Sequence, residues 1–286
     1  MSLIVNSATV ATGMSPVVET ALQRGDEVFI DGLTYTGEYQ IGNAGEVQVE
    51  MLEPAPAEVS TPGGVFTHEN YANKVVNIPL NNGFKKSVRV SSYLSASMPT
   101  NVMANAALSV AEDCREGRGQ AALAYLAKNG TAETGDAVTS LNVESIIMGQ
   151  RAALRKENAR PDVVIASVDT FSAMLAVAGD KYQPEHNDDV VRSGQIGWYK
   201  GQLWVESTYL GGTFTYLDGE GHEVEVDTSD VQFIMYDHRA YAIIDRLNVL
   251  RAVDAVDWVG SAVQAEIDTG FKVLNADCVV VYSKNA

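Results

Sequence analysis

Apolar and polar residues alternate along several stretches of the chain, and each alternation predicts a strand with one buried face. From Glu46 to Met51, Val47, Val49 and Met51 interleave with Glu46, Gln48 and Glu50, a two-residue period that an extended backbone turns into a single apolar face. Val75 to Leu80 and Lys86 to Val90 read as two further strands, with Asn81-Asn82-Gly83 as the hairpin turn between them, because Asn-Gly accepts the positive φ that tight turns need. Then the period changes. After Pro99, Val102, Ala106, Val110, Cys114, Ala121, Tyr125 and Leu126 recur at helical spacing, and Asn129-Gly130 supplies a stop. A helix of about 28 residues, about 42 Å long, is predicted from Thr100 to Lys128. Gly117 and Gly119 each weaken its middle by about 1 kcal/mol relative to alanine, which predicts a bend or break there.

A polar linker, Thr131 to Ser140, precedes a second section. Val143, Ile146, Ile147, Gln150 and Leu154 mark one face of a helix that starts at Asn142 and is ended by Pro161. Val163 to Ala166 reads as a short buried strand, and Asp169 to Ala178 as an amphipathic helix closed by Gly179. Strands follow at Trp198 to Glu206, Thr213 to Leu217, His222 to Val226, Val231 to Tyr236 and Tyr241 to Asp245, with Asp218-Gly219 turning one hairpin. Ser261 to Leu274 and Cys278 to Tyr282 are expected to close the chain as two strands joined by Asn275-Ala276-Asp277, returning to the first section. The fold class is α+β.

Charge changes this picture more than composition does. The chain carries 37 acidic and 20 basic residues, a formal charge of −17 and a pI near 4.5, which opposes a cationic groove for nucleic acid. No run of about 18 apolar residues marks a membrane span, and Met1 to Val10 lacks the basic start of an export signal, so cytoplasmic synthesis without a span is expected. Two distant cysteines, Cys114 and Cys278, argue against a disulfide framework or zinc knuckle and read as buried thiols. The four histidines (His68, His186, His222 and His238) have no second His or Cys at metal spacing, and the acids from Asp218 to Asp227 lack the glycine that a calcium loop needs at its sixth position. The common phosphate-loop, dinucleotide, nucleophile-elbow and zinc-hydrolase motifs are absent. No metal, cofactor or catalytic residue is expected.

The charge is also uneven. Between Arg24 and Lys74 there is no lysine or arginine but there are nine acids, among them Glu46, Glu50, Glu53 and Glu58. Pro54, Pro56 and Thr61-Pro62-Gly63-Gly64 give this stretch the turn chemistry of a long hairpin. Residues 31 to 75 therefore read as an extended β arm, the alternative being a solvated acidic loop. Two cationic clusters stand opposite in sign: Lys85, Lys86 and Arg89, and Arg151, Arg155, Lys156 and Arg160, with Arg151 and Arg155 one helical turn apart. The second cluster reads either as a solvated face with cations near a helix C-terminus or as a docking patch for an acidic neighbour. An acidic arm on an acidic protein suits a basic strip on another copy better than its own body, which points to self-assembly.

The order of elements, with the local stretches KVVNIPLNNGFKKSVRVSSYLSAS, RPDVVIASVDTFSAML, IGWYKGQLWVES and GFKVLNADCVVVYS, resembles the major capsid protein of tailed bacteriophages, the Hong Kong 97-like fold. The resemblance covers essentially the whole chain through loose patterns of apolar positions and glycines. It implies an N-terminal arm and first strand (1–30), an extended β loop (31–75), a peripheral domain with a long spine helix (76–139), an axial domain (140–247) and return strands of the peripheral domain (248–286). It also implies a structural protein, not an enzyme, that assembles as hexamers and pentamers into an icosahedral shell around double-stranded DNA, without sequence-specific binding and without a membrane. The shell would be built in the host cytoplasm with a portal and a separate scaffolding protein, because the likeness begins within about the first 25 residues and leaves no fused scaffold. Some relatives crosslink a lysine of the extended loop; with no lysine before Lys74 in the arm, a noncovalent shell is expected. An encapsulin shell, which shares the fold, and an acidic α+β enzyme with an unrecognised site are the alternatives.

Overall fold

The computed structural model describes residues 33–35, 40–41, 46–52, 73–92, 102–178, 195–254 and 258–285. In chain order the elements are β1 (Gln40–Ile41), β2 (Glu46–Leu52), β3 (Asn73–Pro79), β4 (Asn82–Ser91), α1 (Val102–Asn129), β5 (Thr131–Gly135), α2 (Val143–Lys156), β6 (Val163–Ser167) and α3 (Val168–Ala178). There follow β7 (Gln195–Tyr199), β8 (Gln202–Ser207), β9 (Thr213–Leu217), β10 (Glu223–Asp227), β11 (Val231–Tyr236), β12 (Tyr241–Asp254), β13 (Gly260–Val273) and β14 (Val279–Lys284). The strands form a six-stranded sheet, β5-β14-β11-β6-β8-β7, two three-stranded sheets, β12-β13-β4 and β1-β2-β3, and the β9–β10 hairpin.

The six-stranded sheet is covered on both faces, and the alternation within its strands shows which side is which. Ile165, Ile234 and Val281 share one core with Ala121 to Ala124 of α1, whereas Val164, Phe233, Met235 and Val280 share another with Ile147 and Leu154 of α2 and Met174 of α3. Trp204 and Tyr236 are fully buried, one in each core. The β12-β13-β4 sheet is covered along most of its length on one face, where Val90, Val263, Ala265 and Ile267 pack on Ala106, Ala107, Val110 and Cys114 of α1; β3 covers its other face only at the end near Ala242 and Gly270. The helix thus joins both halves. Along its first half it presents an apolar stripe, and from Ala121 to Ala124 four consecutive residues are buried, because there it is enclosed between the large sheet and the β9–β10 hairpin. Such burial is worth roughly 1.5–3 kcal/mol for each large side chain.

The structure differs from the sequence reading at several places, each for a physical reason. Asn81-Asn82-Gly83 is not a hairpin turn, since β3 pairs with β2 and β4 with β13. Asn82 is 5% exposed; its amide accepts from Leu217 N (2.7 Å) and donates to Leu217 O (3.1 Å), so the side chain clasps β9. The segment read as a polar linker contains β5, the outermost strand of the large sheet, parallel to β14; an exposed edge strand needs no apolar alternation. The single strand expected from Trp198 to Glu206 is the β7–β8 hairpin, turned by Lys200 (φ 52°) and Gly201 (φ 78°), the paired positive φ values of a type I′ turn. Tyr241 to Asp245 is only the start of the 14-residue β12, which crosses the expected boundary at 247 and pairs with β13 along its length. Helix α2 ends at Lys156, with Asn158 left-handed (φ 59°), before Pro161 is reached.

The largest correction concerns the last strand. It does not return to the peripheral sheet: β14 lies between β5 and β11 in the six-stranded sheet. Val279 to Tyr282 are four consecutive buried residues, and a sheet covered on both faces accommodates that run where a one-sided sheet cannot. At the expected bend, α1 runs continuously from Val102 to Asn129. Gly117 serves close packing there, because a Cβ on it would lie 3.3 Å from the Phe84 ring.

Candidate functional site

The charged surfaces singled out in the sequence occupy different parts of this framework. On β2, Glu46 and Glu50 are exposed while Val47 and Val49 between them are buried. Val49, with Val76 and Ile78 of β3, packs on Ala242 and Leu274. At its base the segment read as an arm packs on its own chain through this apolar face, although its charge pattern favoured another copy over its own body. Glu53 and Glu58 lie outside the described residues.

The cations that follow the arm have partners within the chain. Lys85 Nζ lies 2.8 Å from Glu266 Oε1, Lys86 Nζ lies 3.2 Å from Asp113 Oδ2, and the Arg89 guanidinium stands 5.7 Å over the Trp258 ring. The hydrogen bond to Glu266 raises the Lys85 pKa above its ordinary value. Lys85 and Glu266 are directly opposed across β4 and β13, and Gln264 pairs with Ser87 on one side and Arg251 on the other. These residues line an open groove of about 460 Å³, in which Arg251 Nε donates to Gln264 Oε1 at 2.8 Å. The sequence reading missed Arg251, which is distant in the chain and reaches the groove only through strand pairing.

The second cationic cluster is different. Arg151 is half-buried, and Arg155, Lys156 and Arg160 are exposed. Among the described residues no carboxylate pairs with any of the four side chains, and Arg151 Nε is enclosed without a hydrogen-bond partner. They sit at the C-terminal end of α2, on the α2–α3 side of the large sheet.

One group has metal-ligand composition: Asp162, Asp237 and His238 bring ligand atoms within 4.8 Å of one another. Their oxygens are already engaged. Asp237 accepts from Arg239 Nε (2.9 Å) and Nη2 (2.7 Å) and from Arg160 N (3.0 Å), while Asp162 accepts from His238 N (2.9 Å) and meets its imidazole. Burial pushes the Asp237 carboxyl upward, but the Arg239 guanidinium and the backbone N–H groups of Arg160 and Arg239 outweigh it and hold the pKa at about 2. With an arginine in the ligand position, the group is a clasp joining the start of β6 to the end of β11. Cys114 is buried and Cys278 half-buried, and both are free thiols. Among the described residues no helix is long and apolar enough to cross a membrane.

No protein-family model and no curated protein matches the sequence. Solved structures do match. A capsid chain of cyanophage P-SCSP1u superposes with a TM-score of 0.63 at 13% identity, over 88% of this chain and 86% of that one. A chain from Mycobacterium phage Che8 gives 0.57 at 17% identity, over 89% of this chain and 95% of that one. The chain has the Hong Kong 97-like capsid fold. A virus-like particle from Pyrococcus furiosus also matches, with a TM-score of 0.52 at 12% identity over 94% and 98% of the two chains. Most of the six-stranded sheet comes from the stretch expected as the axial domain and most of the β12-β13-β4 sheet from the stretches expected as the peripheral domain, with α1, the expected spine helix, packed on both.

Proposed function

We propose that this chain is a major capsid protein of a tailed bacteriophage, a structural subunit that assembles as hexamers and pentamers into the icosahedral head around double-stranded DNA. The observation that carries the reading is the match of 88% of this chain to a capsid chain of cyanophage P-SCSP1u and of 89% to a chain of Mycobacterium phage Che8. The charge balance supports it, because an acidic wall of −17 per subunit does not trap packaged DNA through nonspecific phosphate binding. In this reading a scaffolding protein and a portal act during assembly in the host cytoplasm, the subunit performs no catalysis, and the finished shell is held without covalent crosslinks. The acids of the arm (Glu46, Glu50, Glu53 and Glu58) and the cations Lys85, Lys86, Arg89, Arg151 and Arg155 serve as inter-subunit contacts.

The match to the Pyrococcus furiosus particle favours a second reading, an encapsulin-type compartment that encloses protein. Size-exclusion chromatography and negative-stain microscopy of the purified chain test the shared part of both readings. Closed shells in the void volume are expected, and a small soluble oligomer without shells overturns it. The contents of particles from the native source then divide the two, double-stranded DNA for the phage head and a packaged protein for the compartment.

A further inference from the structure

The unpaired cations of α2 have a counterpart elsewhere on the same chain. On β10 the backbone alternates Val224 and Val226 inward with Glu223, Glu225 and Asp227 outward, and the three acids are exposed. The side chains of Glu223 and Glu225 have no hydrogen bond or ion pair among the described residues, and the Asp227 carboxylate accepts only from the neighbouring Ser229, through its N–H (2.9 Å) and its hydroxyl. No lysine or arginine lies on the hairpin from Thr213 to Asp227. At about 3.4 Å per residue the three carboxylates are spread over about 14 Å of strand. That is comparable with the reach of Arg151 and Arg155, one helical turn apart, extended by Lys156 and Arg160.

The two surfaces cannot meet within one molecule. Val226 and Tyr216 of the hairpin belong to the core shared with α1, on one face of the six-stranded sheet, while α2 belongs to the core on the other face. With a packed layer about 10 Å from the sheet on each side, the patches are separated by on the order of 20 Å. An acidic stripe and a cationic patch on opposite faces of one domain form a head-to-tail pair. A contact of that kind between copies is heterologous, and repetition of a heterologous contact closes into a ring when the rotation allows.

We propose that the outer face of β10 (Glu223, Glu225, Asp227) of one copy docks on Arg151, Arg155 and Lys156 of the next copy, with Arg160 at the border, and that this contact sets neighbours around a ring. The inference rests on the self-assembly reading and deepens it by naming a pair of surfaces for the cationic patch. Met148, 37% exposed and three residues before Arg151, adds an apolar contact beside the charges.

Charge exchange in the full-length chain tests the pairing. The E223K/E225K variant and the R151E/R155E variant should each lower the fraction sedimenting as closed particles by about tenfold or more, because like charges then face each other across the contact. Unchanged far-UV circular dichroism and thermal midpoint show that each subunit still folds, as expected for exposed positions. Combining all four substitutions should restore particles, since the opposed signs return in exchanged positions. Wild-type shells that persist in both double variants, or loss in both without recovery in the combined one, overturn the pairing and leave the shell reading intact. A wild-type chain that forms no particle overturns both.

Discussion

The axial and peripheral halves bury apolar surface in different ways, and the difference divides stability from contact. In the six-stranded sheet, β11 and β14 place side chains alternately into two cores, so that nearly every residue of VQFIMY and VVVY is enclosed. In the β12-β13-β4 sheet only alternate residues of β13 reach the α1 side. The other face carries Lys85, Arg251, Gln264 and Glu266 around an open groove. A layer enclosed on both sides has little freedom to rearrange. A one-sided layer keeps a polar face that can meet another molecule. The axial sheet is therefore the place where substitutions should cost folding free energy, and the peripheral sheet the place where they should cost contacts.

The largest effect expected is in the axial sheet. Ile234, 0% exposed at the centre of β11, should lose about 2–5 kcal/mol of stability when changed to alanine, because its neighbours in the α1-side core and on the two flanking strands, β6 and β14, cannot all collapse into the cavity. Ile267 is also buried, 3% exposed, but its stretch of the sheet is backed only by α1, so Ile267→Ala should fall at the lower end of the same range. Urea unfolding of dissociated subunits measures both. Equal losses would mean that the two halves are packed alike, and the comparison would fail.

A smaller effect in the same half depends on pH. The Asp237 carboxyl, held at about 2 against an ordinary value of 3.8, is a depressed acid. Its contribution is fully present above about pH 4 and is lost as pH falls towards 2, amounting to about 2 kcal/mol over that window. The urea midpoint should therefore drop between pH 4 and pH 2 by more in the wild type than in Asp237→Asn, which lacks the titrating group and starts from lower stability. Parallel pH profiles for the two proteins would show that the clasp on Arg239 and Arg160 contributes nothing.

Why some of this was legible in the sequence and some was not follows from the range of each signal. The spine helix was readable because a helical period extends over seven turns and ends at Asn129-Gly130, where Asn129 Nδ2 donates to Tyr125 O at 2.8 Å. The Asn-Gly signal at Asn82-Gly83 was misread because its local meaning was overridden by a bond to Leu217, 135 residues away. The placement of β14 was available in principle: VVVY is a continuous apolar run, and alternation would have been expected of a strand on the peripheral sheet. Charge clusters were visible, but pairing was not. Nothing local distinguishes Lys85, which meets Glu266, from Arg155, which meets no carboxylate among the described residues. The acids of β10 were recognised as a strand pattern, and only the two-faced sheet shows that they point away from α2.

The smallest effect on folding is expected in the peripheral half, and it completes the contrast. The Lys85–Glu266 pair is open to solvent, with the two side chains 67% and 31% exposed, and the Lys86–Asp113 pair is similarly open at 48% and 39%. Exposed ion pairs contribute little to folding, since screening and side-chain entropy offset most of the attraction. Lys85→Ala and Lys86→Ala should each shift the urea midpoint by less than Asp237→Asn does, and raised salt should shrink even that difference. Particle yield is the separate measurement. If these lysines also meet the acids of an adjoining arm, the yield should fall in the double variant while subunit stability hardly changes. A loss of stability as large as that of Ile267→Ala would place the lysines among the supports of the fold. A midpoint and a yield that both stay at the wild-type level would remove them from the contact and leave Arg251 as the cation of that groove to test next.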